Sequence, residues 1–120
     1  MSYIIFENDK AFNHLVKKKF VFTLRAHNRK EGVVKLKRSK SSKDVGIVKV
    51  ELIGVVKKIN SKYVVETKNK EIKDLEEFVK YSGFDSLYEW LCAFWKYYKR
   101  VNTIKLYKVT LIQLFYKFLF

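Results

Sequence analysis

Hydrophobic and polar positions alternate along this chain in ways that define most of its elements. A short apolar run, Tyr3 to Phe6, predicts a strand. Asn8 or Asp9 can then cap a helix whose Phe12, Leu15 and Val16 share one side, and Lys17, Lys18 and Lys19 suit its C-terminal carbonyls. Phe20 to Arg25 alternates strictly and predicts a half-buried strand, with Phe20, Phe22 and Leu24 on one face and Val21, Thr23 and Arg25 on the other. After a polar loop, Ala26 to Glu31, closed by Gly32, Val33 to Arg38 predicts another strand. Ser39 to Asp44 reads as a loop. The β-branched stretch Gly46 to Val56 predicts a long strand with a bulge or bend at Gly54, and Asn60-Ser61 predicts a turn into a strand over Lys62 to Thr67.

Helical signals follow. One helix is predicted from about Lys70 to Tyr81, ending at Gly83. A second opens with the capping-box pattern Ser86-Leu87-Tyr88-Glu89 and runs to about Lys99. A last strand covers about Thr103 to Leu111. Sequential strands without βαβ alternation predict an α+β domain: a small, mainly antiparallel β-barrel with flanking helices.

Composition narrows the class. The chain has 120 residues, 48% of them hydrophobic and 17% aromatic, enough for one domain with a core and too aromatic for a disordered chain. The segment after Met1 turns polar at Glu7 and no window approaches a membrane span, which predicts a cytoplasmic domain with no membrane partner. The single Cys92 excludes an internal disulfide, and its place in the apolar stretch Leu87 to Trp95 predicts a buried small hydrophobe. His14 and His27 lie in different predicted elements without carboxylates at ligand spacing, so no metal and no cofactor is expected. Phosphate-loop and dinucleotide-binding glycine motifs are absent.

The net charge of +14 changes the picture most. It is +9 from Met1 to Val50, zero from Glu51 to Asp85 and +5 from Ser86 to Phe120; Lys17 to Lys43 holds eleven basic residues and one acid. Lysine richness alone could reflect a hot habitat or an AT-rich genome, but an unpaired excess repels itself, and a polyanion would relieve it. The candidate contacts are Lys17, Lys18, Lys19, Arg25, Arg29, Lys30, Lys35, Lys37, Arg38, Lys40, Lys43 and Arg100, with Tyr97 as the aromatic that meets the ligand. Period-two geometry puts Thr23, Arg25 and, if the strand continues, His27 on one side, with Lys19 at the same parity. That set could serve nucleophile activation and phosphate charge, or be an ordinary solvated strand face. In the helix after Ser86, Leu87, Leu91, Phe94 and Tyr98 recur at core spacing, leaving Tyr88, Trp90, Trp95 and Tyr97 as candidates for exposure.

Several local features coincide in order. Phe22-Thr23-Leu24-Arg25 follows a helix and precedes Lys30-Glu31-Gly32-Val33-Val34; the long strand Gly46 to Val56 comes next; Ser82-Gly83-Phe84-Asp85-Ser86-Leu87-Tyr88-Glu89-Trp90-Leu91 then leads to Lys105-Leu106-Tyr107-Lys108-Val109-Thr110-Leu111. This layout, about Tyr3 to Ile112, resembles the ASCH domain family of the PUA-like and EVE-like superfamily, in an archaeal or thermophile-type member. The resemblance implies a PUA-like barrel over residues 1–112 with a cleft beside its helices, and association with RNA. It implies binding of RNA in a basic cleft centred on Thr23-Leu24-Arg25; DNA stays open, since phosphate contacts alone do not distinguish the two. As an alternative it implies a metal-independent ribonuclease using Lys19, Thr23, Arg25 and His27. In the family motif Gly-x-Lys-x-x-Glu/Thr-x-Arg anchored on Arg25, Thr23 fits, but the lysine position is Phe20 and the glycine position Lys18. Ser82 stands where amidohydrolase-like members carry glutamate, so the resemblance speaks against amidohydrolase activity. Residues 113–120 form an apolar tail outside it, read either as a fold-back onto the barrel or as a protein-interaction surface forming a homodimer through residues 114–120.

Overall fold

A computed structural model describes residues Ser2 to Phe115. The chain runs β1 (Tyr3–Ile5), α1 (Asp9–Lys18), β2 (Phe20–Arg25), β3 (Gly32–Lys37), β4 (Asp44–Ile59), β5 (Lys62–Thr67), β6 (Ile72–Asp74), a 3-10 helix (Leu75–Tyr81), α2 (Leu87–Tyr97) and β7 (Ile104–Leu114). It is an α+β fold built on one mixed sheet.

The 16-residue strand β4 organises that sheet. Along one edge it pairs with β7 from Gly46↔Leu114 to Val56↔Ile104. Its first half pairs with β3 and its second half with β5. The outer strands are β2 on β7, β1 on β3 and β6 on β5. Every pair is antiparallel except β1 with β3. The sheet does not close into the expected barrel: among the described residues β2 pairs only with β7, and β6 only with β5. The register of β4 against β7 shifts between Leu52 and Gly54, so the predicted irregularity falls at Gly54. An added Cβ at Gly54 would lie 2.3 Å from the Glu66 carbonyl oxygen, which is why that position carries no side chain.

Local chemistry explains the elements. The Asn8 side chain accepts from the Lys10 and Ala11 amides and starts α1; Phe12 and Leu15 bury its inner side. Ser86 accepts from the Glu89 amide and starts α2. Asn60 and Ser61 both have positive φ (51° and 67°) between the paired Ile59 and Lys62, the conformation of a two-residue type I′ hairpin turn.

The predicted helix over Lys70 to Tyr81 is corrected. Its first part is strand β6, zipped onto β5, and only Leu75–Tyr81 is helical, as a 3-10 turn capped by Asp74. The strand pairing Glu66↔Ile72 and Val65↔Lys73 outcompetes helix propensity there. The last strand is longer than predicted, continuing to Leu114, and the Phe115 amide donates to the Val45 carbonyl. Pairing thus crosses the expected boundary at residue 112, while residues 116–120 of the apolar tail lie outside the described residues. Cys92 is exposed, not buried, because Trp90 and Phe94 turn the opposite side of α2 to the core. Trp90, a candidate for exposure, is buried. No helix among the described residues is long and apolar enough to cross a membrane.

Candidate functional site

Strand β2 lies where α1 and α2 both approach the sheet. Its antiparallel register with β7 sets Thr23 opposite Tyr107 and Arg25 opposite Lys105. The facing differs from simple alternation: Val21, Thr23 and Leu24 are buried, and Phe20 and Phe22 are only half-buried. Thr23 is buried at the floor of a cleft beside α2, so the side expected to meet solvent is largely enclosed, while the two phenylalanines expected in the core stand partly open.

Thr23 and Arg25 face a cleft of about 270 Å³. One wall is Ile5 to Asn8 with Ala11; the other is Phe84 and, from α2 and its end, Trp90, Ala93, Phe94, Tyr97 and Tyr98. The space is slightly below the roughly 300–1,000 Å³ of pockets for drug-sized ligands, and suits one planar ring system with its immediate substituents. Most of its lining is aromatic or aliphatic, with a few polar groups converging: Glu7, Asn8, Thr23, Arg25 and Arg29.

Arg25 is the unusual member. Its guanidinium carbon stands 4.8 Å from the centre of the Phe6 ring, and its Nε is buried with no hydrogen-bond partner among the described residues. Burial is the main cause that pulls its pKa down to about 10, with Arg29 adding repulsion and the Tyr98 and Tyr107 phenols opposing it. It remains a cation at neutral pH, and among the described residues neither Arg25 nor Arg29 pairs with a carboxylate. Two arginines that pair with no carboxylate, in an aromatic cleft that Glu7 also lines, can accept an anion.

The segment after β2 is tied down. The Arg29 amide donates to the Tyr107 hydroxyl at 2.8 Å and its Nη2 to the Tyr98 hydroxyl at 3.3 Å. Lys105 donates to Asn28 Oδ1. Glu31 accepts from the Leu52 amide at 2.8 Å and from Lys68 at 2.9 Å. Arg29 is thereby held at the cleft by the fold, through Tyr107, which is itself fully buried.

The other candidate residues sort into groups. Of the proposed catalytic set, Thr23 and Arg25 line the cleft, and Lys19 and His27 do not. Lys19 is the left-handed C-cap of α1 (φ 72°), outside the strand. The predicted parity fails because the chain turns at Lys19. His27 sits past the end of β2, its ring edge-on to Tyr98 at 5.9 Å. Of the basic contacts, Arg25 and Arg29 line the cleft and Tyr97 is at its exposed rim. Lys35 and Lys37 are instead paired with Asp44, and Arg38 with Asp9 while lying over Phe12. Lys17, Lys18, Lys30, Lys40, Lys43 and Arg100 are largely exposed and form no ion pair among the described residues. Among those residues no group of three or more His, Cys, Asp or Glu side chains is placed to hold a metal ion.

Sequence reasoning missed Phe6, Phe84, Trp90 and Tyr98 as cleft walls. Only the clustering of aromatics after Ser82 hinted at them, and that signal is equally the signal of a core. Comparisons of the chain with protein-family models, with curated proteins and with solved structures return no match.

Proposed function

We propose that this chain is a nucleic-acid-binding domain, an ASCH-type member of the PUA-like class, that binds single-stranded RNA through the Thr23–Arg25 cleft. An unpaired base enters between Phe6 and the α2 aromatics, and a neighbouring phosphate meets Arg25 and Arg29. Unpaired bases recognised by aromatic stacking and polar contacts are the usual mode of single-stranded RNA recognition. The observation that carries the reading is Arg25: a partly buried arginine whose Nε is buried, without a carboxylate partner among the described residues, beside a second arginine inside an aromatic cleft. Exposed Lys30, Lys40, Lys43 and Arg100 supply the longer-range attraction that the charge of +14 provides.

The ribonuclease alternative has less support, because Lys19 and His27 do not join Thr23 and Arg25 in the cleft. Fluorescence anisotropy with labelled single-stranded RNA and DNA of the same sequence tests the binding reading. Salt-sensitive binding, stronger for RNA and weakened in both Arg25→Met and Arg29→Ala, is the expected result. No binding of either polymer at low salt overturns it.

A further inference from the structure

The outer face of β2 carries a cluster that the cleft does not use. Phe20 and Phe22, at alternate positions, meet Tyr81 and Phe78 of the 3-10 helix. Ring centres lie 5.4 Å apart for Phe20–Tyr81, 5.9 Å for Phe22–Tyr81 and 5.1 Å for Phe22–Phe78. None of the four is fully buried, and Tyr81 is 36% exposed. Two ammonium groups stand over these rings: Lys108, the cross-strand partner of Phe22, is 5.5 Å from the Phe20 centroid, and Lys80 is 5.1 Å from that of Tyr81. Neither lysine forms an ion pair among the described residues. Phe22, Phe78, Lys80 and Tyr81 line a second groove, which reaches Phe84, the residue that also walls the cleft. The two depressions therefore share one aromatic partition.

We propose that this outer groove is a second stacking site, taking further unpaired bases of the same strand whose first base occupies the cleft. The inference rests on the single-stranded reading above. Partly exposed aromatic rings flanked by unpaired lysines match what an unpaired polynucleotide presents, a base face beside a phosphate. The lysines leave the ring faces for phosphates as bases arrive, since their flexible stems allow both positions. Glu76, Glu77 and Asp85 also border this groove. Their repulsion keeps the phosphate path on the Lys80 and Lys108 side, so the strand passes Phe84 and runs over Tyr81 toward Phe20. A strand crossing both sites contacts more bases than the cleft alone holds, so affinity depends on length.

The experiment compares a trinucleotide with a nonanucleotide of single-stranded RNA, by anisotropy and by competition at one low salt concentration. The wild-type chain binds the longer strand more tightly. Tyr81→Ala weakens the nonanucleotide about tenfold, the loss of one stacked base, and leaves the trinucleotide unchanged, which also shows that the fold is intact. Tyr81→Phe, which keeps the ring, binds like wild type. Lys108→Gln lowers the salt slope for the longer strand by about one. Equal affinity for both lengths, or a nonanucleotide unaffected by Tyr81→Ala, overturns the second site while the cleft stands. Equal weakening of both lengths by Tyr81→Ala also overturns it, as a general structural effect. Failure of the wild-type chain to bind either length removes the cleft reading and this one together.

Discussion

The Arg25 guanidinium is stacked on the Phe6 ring, 4.8 Å from its centre, with its Nε buried and unbonded. Folding lowers the pKa of this cation, so its charge costs stability at every pH below about 10, neutral pH included. A residue kept at such a cost by a cleft that could have been apolar is explained by a ligand. Arg25→Met is expected to raise stability by about 1 kcal/mol, since apolar groups of similar size often replace buried charges favourably. The same change is expected to weaken RNA binding at least about tenfold, the loss of one charge-assisted contact. Thermal melts with and without RNA check both: RNA raises the wild-type Tm and raises that of the variant less. A variant several kcal/mol less stable than wild type would make Arg25 structural.

Tyr107 holds the cleft from behind. Its hydroxyl accepts from the Arg29 amide, and the ring is fully buried. Tyr107→Phe removes that bond while keeping the packing, and is expected to cost about 1 kcal/mol. Binding weakens too, because Arg29 loses its anchor. Amide hydrogen exchange locates the effect: Arg29 exchanges faster while the β2–β7 ladder amides keep their protection.

Gly83 fixes the partition between the two grooves. Its φ is +90°, and an added Cβ would lie 2.4 Å from the Lys10 carbonyl oxygen on α1. Gly83→Ala combines a left-handed strain with a backbone clash, and is expected to cost about 2 kcal/mol or more in a urea titration. An unchanged midpoint would show that α1 can move away freely.

The basic residues divide by their partners. Lys37→Gln breaks the pairing with Asp44 and lowers the Tm slightly, with little effect on RNA affinity. Lys40→Gln and Lys43→Gln leave the Tm unchanged and each reduce the salt dependence of binding by about one. Anisotropy across a salt series separates the two kinds.

Acid weakens the fold through its carboxylates. The Leu52 amide holds Glu31 below the ordinary glutamate value of 4.5, Lys57 does the same for Glu66, and Lys10 for Glu89; Lys62 holds Asp74 below 3.8. Depressed pKa values in the folded state contribute stability that is fully present above those ordinary values and lost as pH falls through the lowered ones. The Tm should stay flat down to about pH 5 and fall below about pH 4. Glu31→Gln shallows that fall in calorimetry.

Much of the architecture is legible in the sequence because its causes are local. Asn8 and Ser86 cap helices through their own side chains, Asn60-Ser61 makes a turn by its own dihedrals, and Phe20 to Arg25 forms a strand as its pattern predicts, though its burial does not alternate. The same locality fails at Lys70 to Tyr81. Helix periodicity there loses to strand pairing with β5, a partner the segment does not contain.

By itself, the sequence determined the strand and helix order apart from β6, the caps, and an excess of positive charge concentrated before Val50. Only the tertiary structure decided which of those charges are spent. Lys35, Lys37 and Arg38 go to ion pairs, and Lys19 is turned out by a left-handed cap. Arg25 and Arg29 are enclosed by aromatics from Phe84 to Tyr98, more than fifty residues away. The physical reason is that charge is a property of a residue, whereas desolvation and the absence of a counter-ion are properties of its neighbours.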